Sequence, residues 1–328
     1  MGTDVPRRQI PPRRSAAATA VRWTICPLFL LGFFCLLFSV AAVVASAATD
    51  ELGREVVLSG EPRRIVSLAP NITEILFALG LEERIVGATS YCNYPERAKR
   101  IRRIGGFTDV SLETIVSLSP DLVLATADGN RKETVERIER MGLPVFVVHP
   151  KNLEGILATV RRIGRITGRE PQAQSLTAGL ARRIESVAAT TAKRQRPTVF
   201  FQVGLDPIIT VGRDTFINEL IETAGGDSIS STQKTRYPRY SIEEVLAKKP
   251  DIIVLAAMEQ AGDPSLGENF WRRWKEIPAV AEDRIYSLSP DLVARPSPRI
   301  VDALEILARM FHPDAAGLKP AAPTPGQR

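Results

Sequence analysis

From about residue 50 onward, short apolar runs rich in β-branched residues alternate with longer amphipathic stretches. The run at 63–68 predicts a buried strand. In the following stretch, PNITEILFALGL, apolar residues recur every three or four positions up to Gly80, which predicts a helix. Asn71 and Glu74 stand at the spacing of a capping box at its start. Together these residues predict one β-α unit.

The same alternation continues along the chain. Further strands are predicted at RIVGA, DLVLA, PVFVVH, TVFFQV, DIIVLAA and RIYSLS. Further helices are predicted at SLETIVSL, NRKETVERIERMG, DTFINELIETAGG, SIEEVLAKKP and SPRIVDALEILARMF. Strands that alternate with helices predict parallel sheets covered on both faces.

A long helical segment separates the two halves of this pattern. From Pro171 to Lys193 only Gly179 weakens a helix, and the segment is rich in Ala, Arg, Leu and Glu. Such a helix would be about 35 Å long, enough to connect two lobes. The sequence therefore predicts an α/β protein with two Rossmann-like lobes joined by one long interlobe helix. The predicted boundaries are 48–168 for the N-terminal lobe, 169–196 for the interlobe helix, 197–312 for the C-terminal lobe and 313–328 for a disordered tail.

The first 47 residues have the features of an export signal. They contain five Arg, an apolar run from Thr24 to Ala45, and small residues at Ala45-Ser46-Ala47 where cleavage is expected. The apolar run is also long enough to span a bilayer. The segment is therefore either a cleaved signal peptide or a retained signal anchor. Either outcome predicts a periplasmic body, attached to the inner membrane if the leader is retained.

Charge and cysteine content exclude several classes of function. The leader carries most of the net charge of +6, so the rest of the chain is nearly neutral. That part also shows no basic stripe with interleaved aromatics. Nucleic-acid binding is therefore not expected. After cleavage Cys92 is the only cysteine, which excludes an intrachain disulfide and leaves its role open. His149 and His312 are far apart in the sequence, so no metal site is predicted.

One pattern occurs twice. SLETIVSLSPDLVLA begins at Ser111 and SIEEVLAKKPDIIVLA begins at Ser241, with Ser, Glu, Pro and Asp in one register. Each predicts a Ser-capped helix, a stop at Pro and a strand after Asp. The acids Glu113 and Glu243 lie in the first turn, where they favour the helix dipole. From the residues alone, the repeat indicates two lobes with similar local structure.

The stretch GREVVLSGEPRRIVSLAPNITEILFALGLEERIVGATSYCNYPERA resembles the start of periplasmic binding proteins of the iron–siderophore and cobalamin class, class III of these proteins. The resemblance covers about residues 52–312 and is closest to the vitamin B12-binding members. It implies a solute-binding protein, not an enzyme, without cofactor, metal site or catalytic residue. Such a protein captures cobalamin or a related corrinoid as transported ligand. It delivers the ligand to an ABC permease dimer in the inner membrane and its ATPase.

The resemblance also implies site residues. In the family the ligand lies between the lobes against aromatic walls, and Tyr91, Phe107 and Tyr237 match such positions. Asp291 and Arg295 match an acid and a base at the edge of the ligand. The sequence departs from the B12-binding members at Thr126 and Ile209, where those proteins carry aromatics, and the aromatic fraction is only 6%.

The family uses one Glu on each lobe to dock into Arg pockets of the two permease subunits. Glu113 and Glu243 match these positions, so the resemblance gives the repeat a function. A permease dimer with two-fold symmetry would present the same Arg pocket twice, so the binding protein would present one acid on each lobe.

Other ligands and one enzyme class stay open at this point. A ferric siderophore with anionic oxygens would be attracted by Arg236, Arg239 and Arg295. Haem would need an axial ligand, for which Tyr91, Tyr237 and His149 are candidates. A tetrapyrrole chelatase-like enzyme is the enzymatic alternative. The motifs GxGxxG, GxxxxGK[ST] and GxSxG do not occur at the required places, which disfavours nucleotide and hydrolase chemistry.

Overall fold

The computed structural model describes residues 1–2, 46–256 and 265–315. The predicted leader lies almost entirely outside these residues, as does most of the predicted tail. Within the described part of the chain, no helix is both long enough and apolar enough to cross a membrane.

The N-terminal lobe is built on a parallel sheet with the spatial order β4-β3-β5-β6. Its strands are β3 (Ile65–Ser67), β4 (Ile85–Ala88), β5 (Leu122–Thr126) and β6 (Val145–Val148). Its helices are α1 (Pro70–Ala78), α2 (Leu112–Ser117), α3 (Lys132–Arg140) and α4 (Leu153–Ile166). An antiparallel hairpin of β1 (Ser46–Thr49) and β2 (Glu55–Leu58) precedes the sheet.

Both faces of this sheet are covered, as the continuous apolar runs predict. Along β5, Leu122 and Leu124 pack in a core with α1 and α4, whereas Val123 and Ala125 pack in a second core with α2 and α3. Successive side chains of a strand point to opposite faces, so a fully buried strand requires apolar residues at every position.

The C-terminal lobe has a second sheet, ordered β11-β10-β7-β8, with β9 also paired to β7. Its strands are β7 (Thr198–Gly204), β8 (Ile209–Thr210), β9 (Asp227–Ser228), β10 (Ile252–Leu255) and β11 (Ile285–Ser287). Its helices are α6 (Phe216–Thr223), α7 (Ile242–Lys248), α8 (Ser265–Trp271), α9 (Pro278–Ala281), α10 (Pro290–Val293) and α11 (Ile300–Phe311). Strand β8 runs antiparallel to β7, a departure from the predicted parallel sheet.

The long helix between the lobes is α5 (Glu170–Thr191), with Pro171 in its first turn. Its 22 residues correspond to about 33 Å. Ala173 lies in the core of the N-terminal lobe, whereas Leu180 and Val187 lie in the core of the C-terminal lobe. The prediction of two α/β lobes joined by one long helix is confirmed, while the boundaries 48–168, 169–196 and 197–312 stay a prediction.

The predicted capping box at the start of α1 is wrong. The N-cap residue is Ala69, which offers no capping side-chain atom, and Pro70 takes the first helical position. Asn71 is already inside the helix. The carboxylate of Glu74 binds residues of the other lobe instead of its own helix start.

Candidate ligand-binding cleft

A cleft of about 410 Å³ lies where the two lobes meet. Residues that follow β3, β4 and β5 in the N-terminal lobe, such as Pro70, Tyr91 and Asp128, line one side. Phe216 at the start of α6 and the segment after β11 line the other side. In open α/β sheets the crevice outside the carboxyl ends of the strands is the usual ligand site. The topology therefore assigns this cleft as the candidate site.

The three predicted aromatics all line the cleft. The side chains of Tyr91 and Tyr237 are 55% and 45% exposed, so their ring surfaces are available to a ligand. Phe107 lies with its ring against Gly129, where a Cβ would come within 1.9 Å of the ring. Gly129 therefore makes room for this aromatic wall.

Phe216 is a further cleft aromatic that the sequence analysis missed. It is 5% exposed and is the first residue of α6, directly after the N-cap Thr215. The available signal was an aromatic residue near the start of the predicted helix DTFINELIETAGG.

The two departures from the aromatic pattern differ in position. Thr126, the last residue of β5, lines the cleft and shortens one wall. Ile209 lies in β8 and packs against Gly204.

Asp291 and Arg295 also line the cleft, but Arg295 is 8% exposed and is already bonded to several protein groups. Its Nη2 atom lies 2.7 Å from Oδ1 of Asp291. Its Nη1 atom donates to Oδ1 of Asn93 at 2.7 Å and to Oε1 of Glu74 at 3.0 Å. Nδ2 of Asn93 in turn donates to Oδ2 of Asp291 at 2.9 Å. The predicted acid and base are thus held in fixed poses by the opposite lobe.

Sequence reasoning assigned Glu74 to a helix cap and gave Asn93 no role, so it missed the contacts of both with the other lobe. Glu74 is the only charged residue of α1, PNITEILFA, which is otherwise apolar or neutral. A lone acid in a helix expected to be buried was the available signal, because a buried carboxylate needs a partner.

A second polar group, Asp128, marks another part of the cleft. Its Oδ1 atom lies 3.0 Å from Nη1 of Arg236 on the C-terminal lobe and 3.3 Å from Nε2 of His149. Burial raises the pKa of the neighbouring Tyr237, an effect that Arg236 opposes and Asp128 reinforces. Tyr237 is therefore a neutral phenol at physiological pH, able to donate a hydrogen bond.

Asn71 is a third polar residue at the cleft and is 5% exposed. Among the described residues, its Nδ2 atom has no hydrogen-bond partner. An unpaired amide next to a cleft is available to a ligand oxygen after a small rotation of the side chain.

Cys92 is fully buried beneath this region. Its Sγ atom lies 3.1 Å from Oγ1 of Thr73 and 3.2 Å from Oγ1 of Thr89. Within 46–256 and 265–315, no group of three or more His, Cys, Asp or Glu residues is arranged to hold a metal ion.

The predicted docking acids lie on matching helices. Glu113 is the second residue of α2 and Glu243 is the second residue of α7, and both side chains are exposed. The pKa of Glu243 is lowered by hydrogen bonds from its own backbone N–H and from the hydroxyl of Ser241. Val116, one turn after Glu113, is 45% exposed and adds an apolar surface beside the acid.

The periplasmic binding protein family profile matches residues 65–292, which is more than two thirds of the chain. The uncharacterized ABC transporter substrate-binding lipoprotein YvrC of Bacillus subtilis is 32% identical over 81% of this chain and 85% of its own length. A vitamin B12-binding protein of Vibrio campbellii is 29% identical over 77% of this chain and 91% of its own length.

Among solved structures, the periplasmic haem-binding protein RhuT of Roseiflexus sp. RS-1 has a TM-score of 0.70 at 29% identity. The match covers 78% of this chain and 100% of that chain. All three relatives are named as binding proteins. The chain belongs to the periplasmic binding protein family.

Proposed function

We propose that this periplasmic binding protein captures a corrinoid, with vitamin B12 as the favoured ligand, and delivers it to an ABC permease. The observation that carries the proposal is the cleft, in which Tyr91, Phe107 and Tyr237 provide aromatic surface from both lobes. A corrin ring has a wide, largely apolar face, which aromatic side chains cover at a small cost in conformational entropy.

The polar groups at the cleft fit the edge of such a ligand. Corrinoids carry amide side chains, which donate and accept hydrogen bonds. Asp128 and Asp291 can each accept a further bond beside their ion pairs, because a carboxylate has about four lone-pair sites. The Tyr237 hydroxyl and the Asn71 amide offer donors. Charged acceptors make the stronger of these bonds.

A ferric siderophore is less well supported. Its anionic oxygens would need free cations, yet Arg236 is paired with Asp128 and Arg295 with Glu74 and Asp291. Arg239 is exposed but is not among the residues that line the cleft.

Haem is the second candidate, and the exposed phenol of Tyr91 in the cleft is the observation that favours it. An axial phenolate is a known form of haem ligation. The similarity to a haem-binding protein supports the same candidate. The raised pKa of Tyr237 and the pairing of His149 with Asp128 count against these two residues as axial ligands.

Calorimetric titration with cyanocobalamin, haemin and a ferric siderophore tests the proposal. We expect one-to-one binding of cyanocobalamin and no comparable binding of the other two. Tyr91→Ala should weaken binding about 10-fold, because it removes stacking surface equivalent to roughly 1.4 kcal/mol. Met141→Ala is the control, since this side chain is exposed to a similar degree outside the cleft. An unchanged affinity of the Tyr91 variant would remove Tyr91 from the contact set, and tight haemin binding alone would replace the corrinoid.

Delivery is assigned to Glu113 and Glu243, one acid on each lobe. Their exposure and equivalent helix positions support docking onto a permease dimer with its ATPase. The proposal includes export to the periplasm through the segment 1–47. N-terminal sequencing of the protein recovered from the periplasm distinguishes a cleaved leader from a retained anchor.

A further inference from the structure

Glu74 lies at the contact between the two lobes, on α1 of the N-terminal lobe, and is only 4% exposed. Its carboxylate binds residues of the opposite lobe. Oε1 accepts from Nη1 of Arg295 at 3.0 Å and from Nη1 of Arg299 at 3.2 Å. Oε2 accepts from Oγ of Ser297 at 2.6 Å. One buried side chain thus joins the N-terminal lobe to the segment that follows β11.

The loop after β4 holds the same segment from a second direction. Arg295 donates to Oδ1 of Asn93 at 2.7 Å and to the carbonyl oxygen of Tyr91 at 3.3 Å. The guanidinium of Arg299 lies 3.7 Å from the ring centroid of Tyr94. Glu74, Asn93, Arg295, Ser297 and Arg299 are called the interlobe cluster below.

Breaking the contacts of the interlobe cluster costs free energy, because its charged groups are buried. Burial raises the pKa of Glu74, while the two guanidinium groups and the Ser297 hydroxyl oppose that rise. Separating the lobes here would take both ion-pair partners from the buried Glu74 carboxylate and would take Glu74 from Arg299. Arg295 would keep only its ion pair with Asp291. Losing one member of a buried ionic network is strongly destabilising, because the remaining charge is uncompensated.

A further ion pair across the cleft, Asp128 with Arg236, is more exposed to solvent. Its two side chains are 38% and 36% exposed. Water can replace an exposed pair at little cost, and salt screens it. The interlobe cluster is therefore the stronger of these two constraints on lobe separation.

The interlobe cluster is continuous with the cleft wall. Tyr91, Asp291 and Arg295 line the cleft, and each either belongs to the cluster or bonds to it. We infer that Glu74 is a positioning residue for ligand capture, which fixes the separation of the two cleft walls before a ligand arrives. A cleft held at one width binds without an ordering cost, whereas a cleft that is competent for part of the time binds proportionally more weakly.

The inference rests on the proposed function only where ligand binding is measured. The first measurement is therefore made without ligand. Spin labels at Met141→Cys and Glu282→Cys, exposed positions on different lobes, report the distribution of interlobe distances. Glu74→Gln keeps the shape of the side chain and removes its charge. Ser297→Ala is a milder variant that removes the hydroxyl's bond to Glu74 and its bond from the backbone N–H of Arg299, and leaves the charges paired. Glu61→Gln is the control, because Glu61 forms its ion pairs with Arg84 and Arg63 inside one lobe.

We expect Glu74→Gln to broaden the distance distribution and to raise the dissociation constant for cyanocobalamin about 10-fold. Ser297→Ala should do the same to a smaller extent, and Glu61→Gln should do neither. A folded Glu74→Gln protein with the narrow wild-type distribution overturns the inference. If Glu74→Gln does not fold, an unchanged distribution in Ser297→Ala overturns it. If the wild type binds no cobalamin while Glu74→Gln broadens the distribution, the proposed ligand is wrong and the positioning role stands.

Discussion

The two copies of the repeated sequence unit, 111–125 and 241–256, fold in the same way, but their helix starts are not equally stabilised. In both, Ser is the N-cap of a short helix and accepts a hydrogen bond from a backbone N–H. Both helices are followed by a residue in the left-handed region, Ser119 at φ 44° and Lys249 at φ 47°. The shared Pro and Asp then lead into a strand at the centre of each sheet.

The shared Asp has a structural role in both lobes. Asp121 accepts from the backbone N–H groups of Arg63 and Arg64 at 2.7 and 2.9 Å. Asp251 accepts from the backbone N–H and the hydroxyl of Thr198, both at 2.8 Å. Each carboxylate therefore ties the new strand to the start of the strand beside it.

The helix starts differ. In α7, Ser241 and Glu244 form a complete capping box, whereas in α2 the equivalent third position is Thr114. The capping box thus accounts for Glu244 but not for Glu243, its neighbour. Glu243 instead accepts from its own backbone N–H and from the hydroxyl of Ser241, so it also contributes to the helix start. Its exposed position, repeated by Glu113 in the other lobe, supports a second role outside the fold.

The largest expected effect comes from removing both repeated acids. We expect Glu113→Ala with Glu243→Ala to abolish stimulation of the permease ATPase in proteoliposomes, because both proposed docking contacts are lost, while ligand affinity is retained. The control pairs Glu133→Ala, a first-turn acid of α3, with Glu282→Ala, an exposed acid of the other lobe. Normal stimulation in the first double variant would leave helix stabilisation as the only role of the repeated acids.

Replacement of the shared Asp should lower the free energy of unfolding by different amounts in the two copies. The bonds of Asp251 are partly buried and those of Asp121 are exposed. We expect Asp251→Ala to lower the free energy of unfolding by about 2 kcal/mol and Asp121→Ala by about 1 kcal/mol. Urea denaturation measures both, and equal losses would show that the surroundings of the two carboxylates are equivalent in energy.

The smallest effect is expected at the caps. Ser241→Ala should cost about 1 kcal/mol, because it breaks a capping box, and Ser111→Ala about 0.5 kcal/mol. Thermal unfolding of the two variants side by side measures the difference. A larger loss for Ser111→Ala would contradict the unequal anchoring of the two helices.

These comparisons also show what the sequence could predict. Both copies of the repeat, the long helix and the cleft positions of Tyr91, Phe107 and Tyr237 follow from local patterns or from family resemblance. The role of Glu74 does not, since its partner Arg295 lies 221 residues away. Periodicity suggested a capping box for Glu74 because that pattern is local. The antiparallel strand β8 was not predicted either, because a strand of two residues has too short a hydrophobic pattern to indicate its direction in the sheet.

The helix α5 packs in the cores of both lobes, and this affects how the two lobes can evolve. Ala173 at one end is packed in the N-terminal lobe, and Leu180 and Val187 further along are packed in the C-terminal lobe. The helix α4 is shared in the same manner, with Val160 and Ile163 in one core and Leu153 and Ile156 in the other. If one lobe were replaced by that of another protein, the new lobe would have to pack against surfaces of α4 and α5 that are complementary to the original lobe. The lobes are therefore expected to evolve together, as one module rather than as two interchangeable ones.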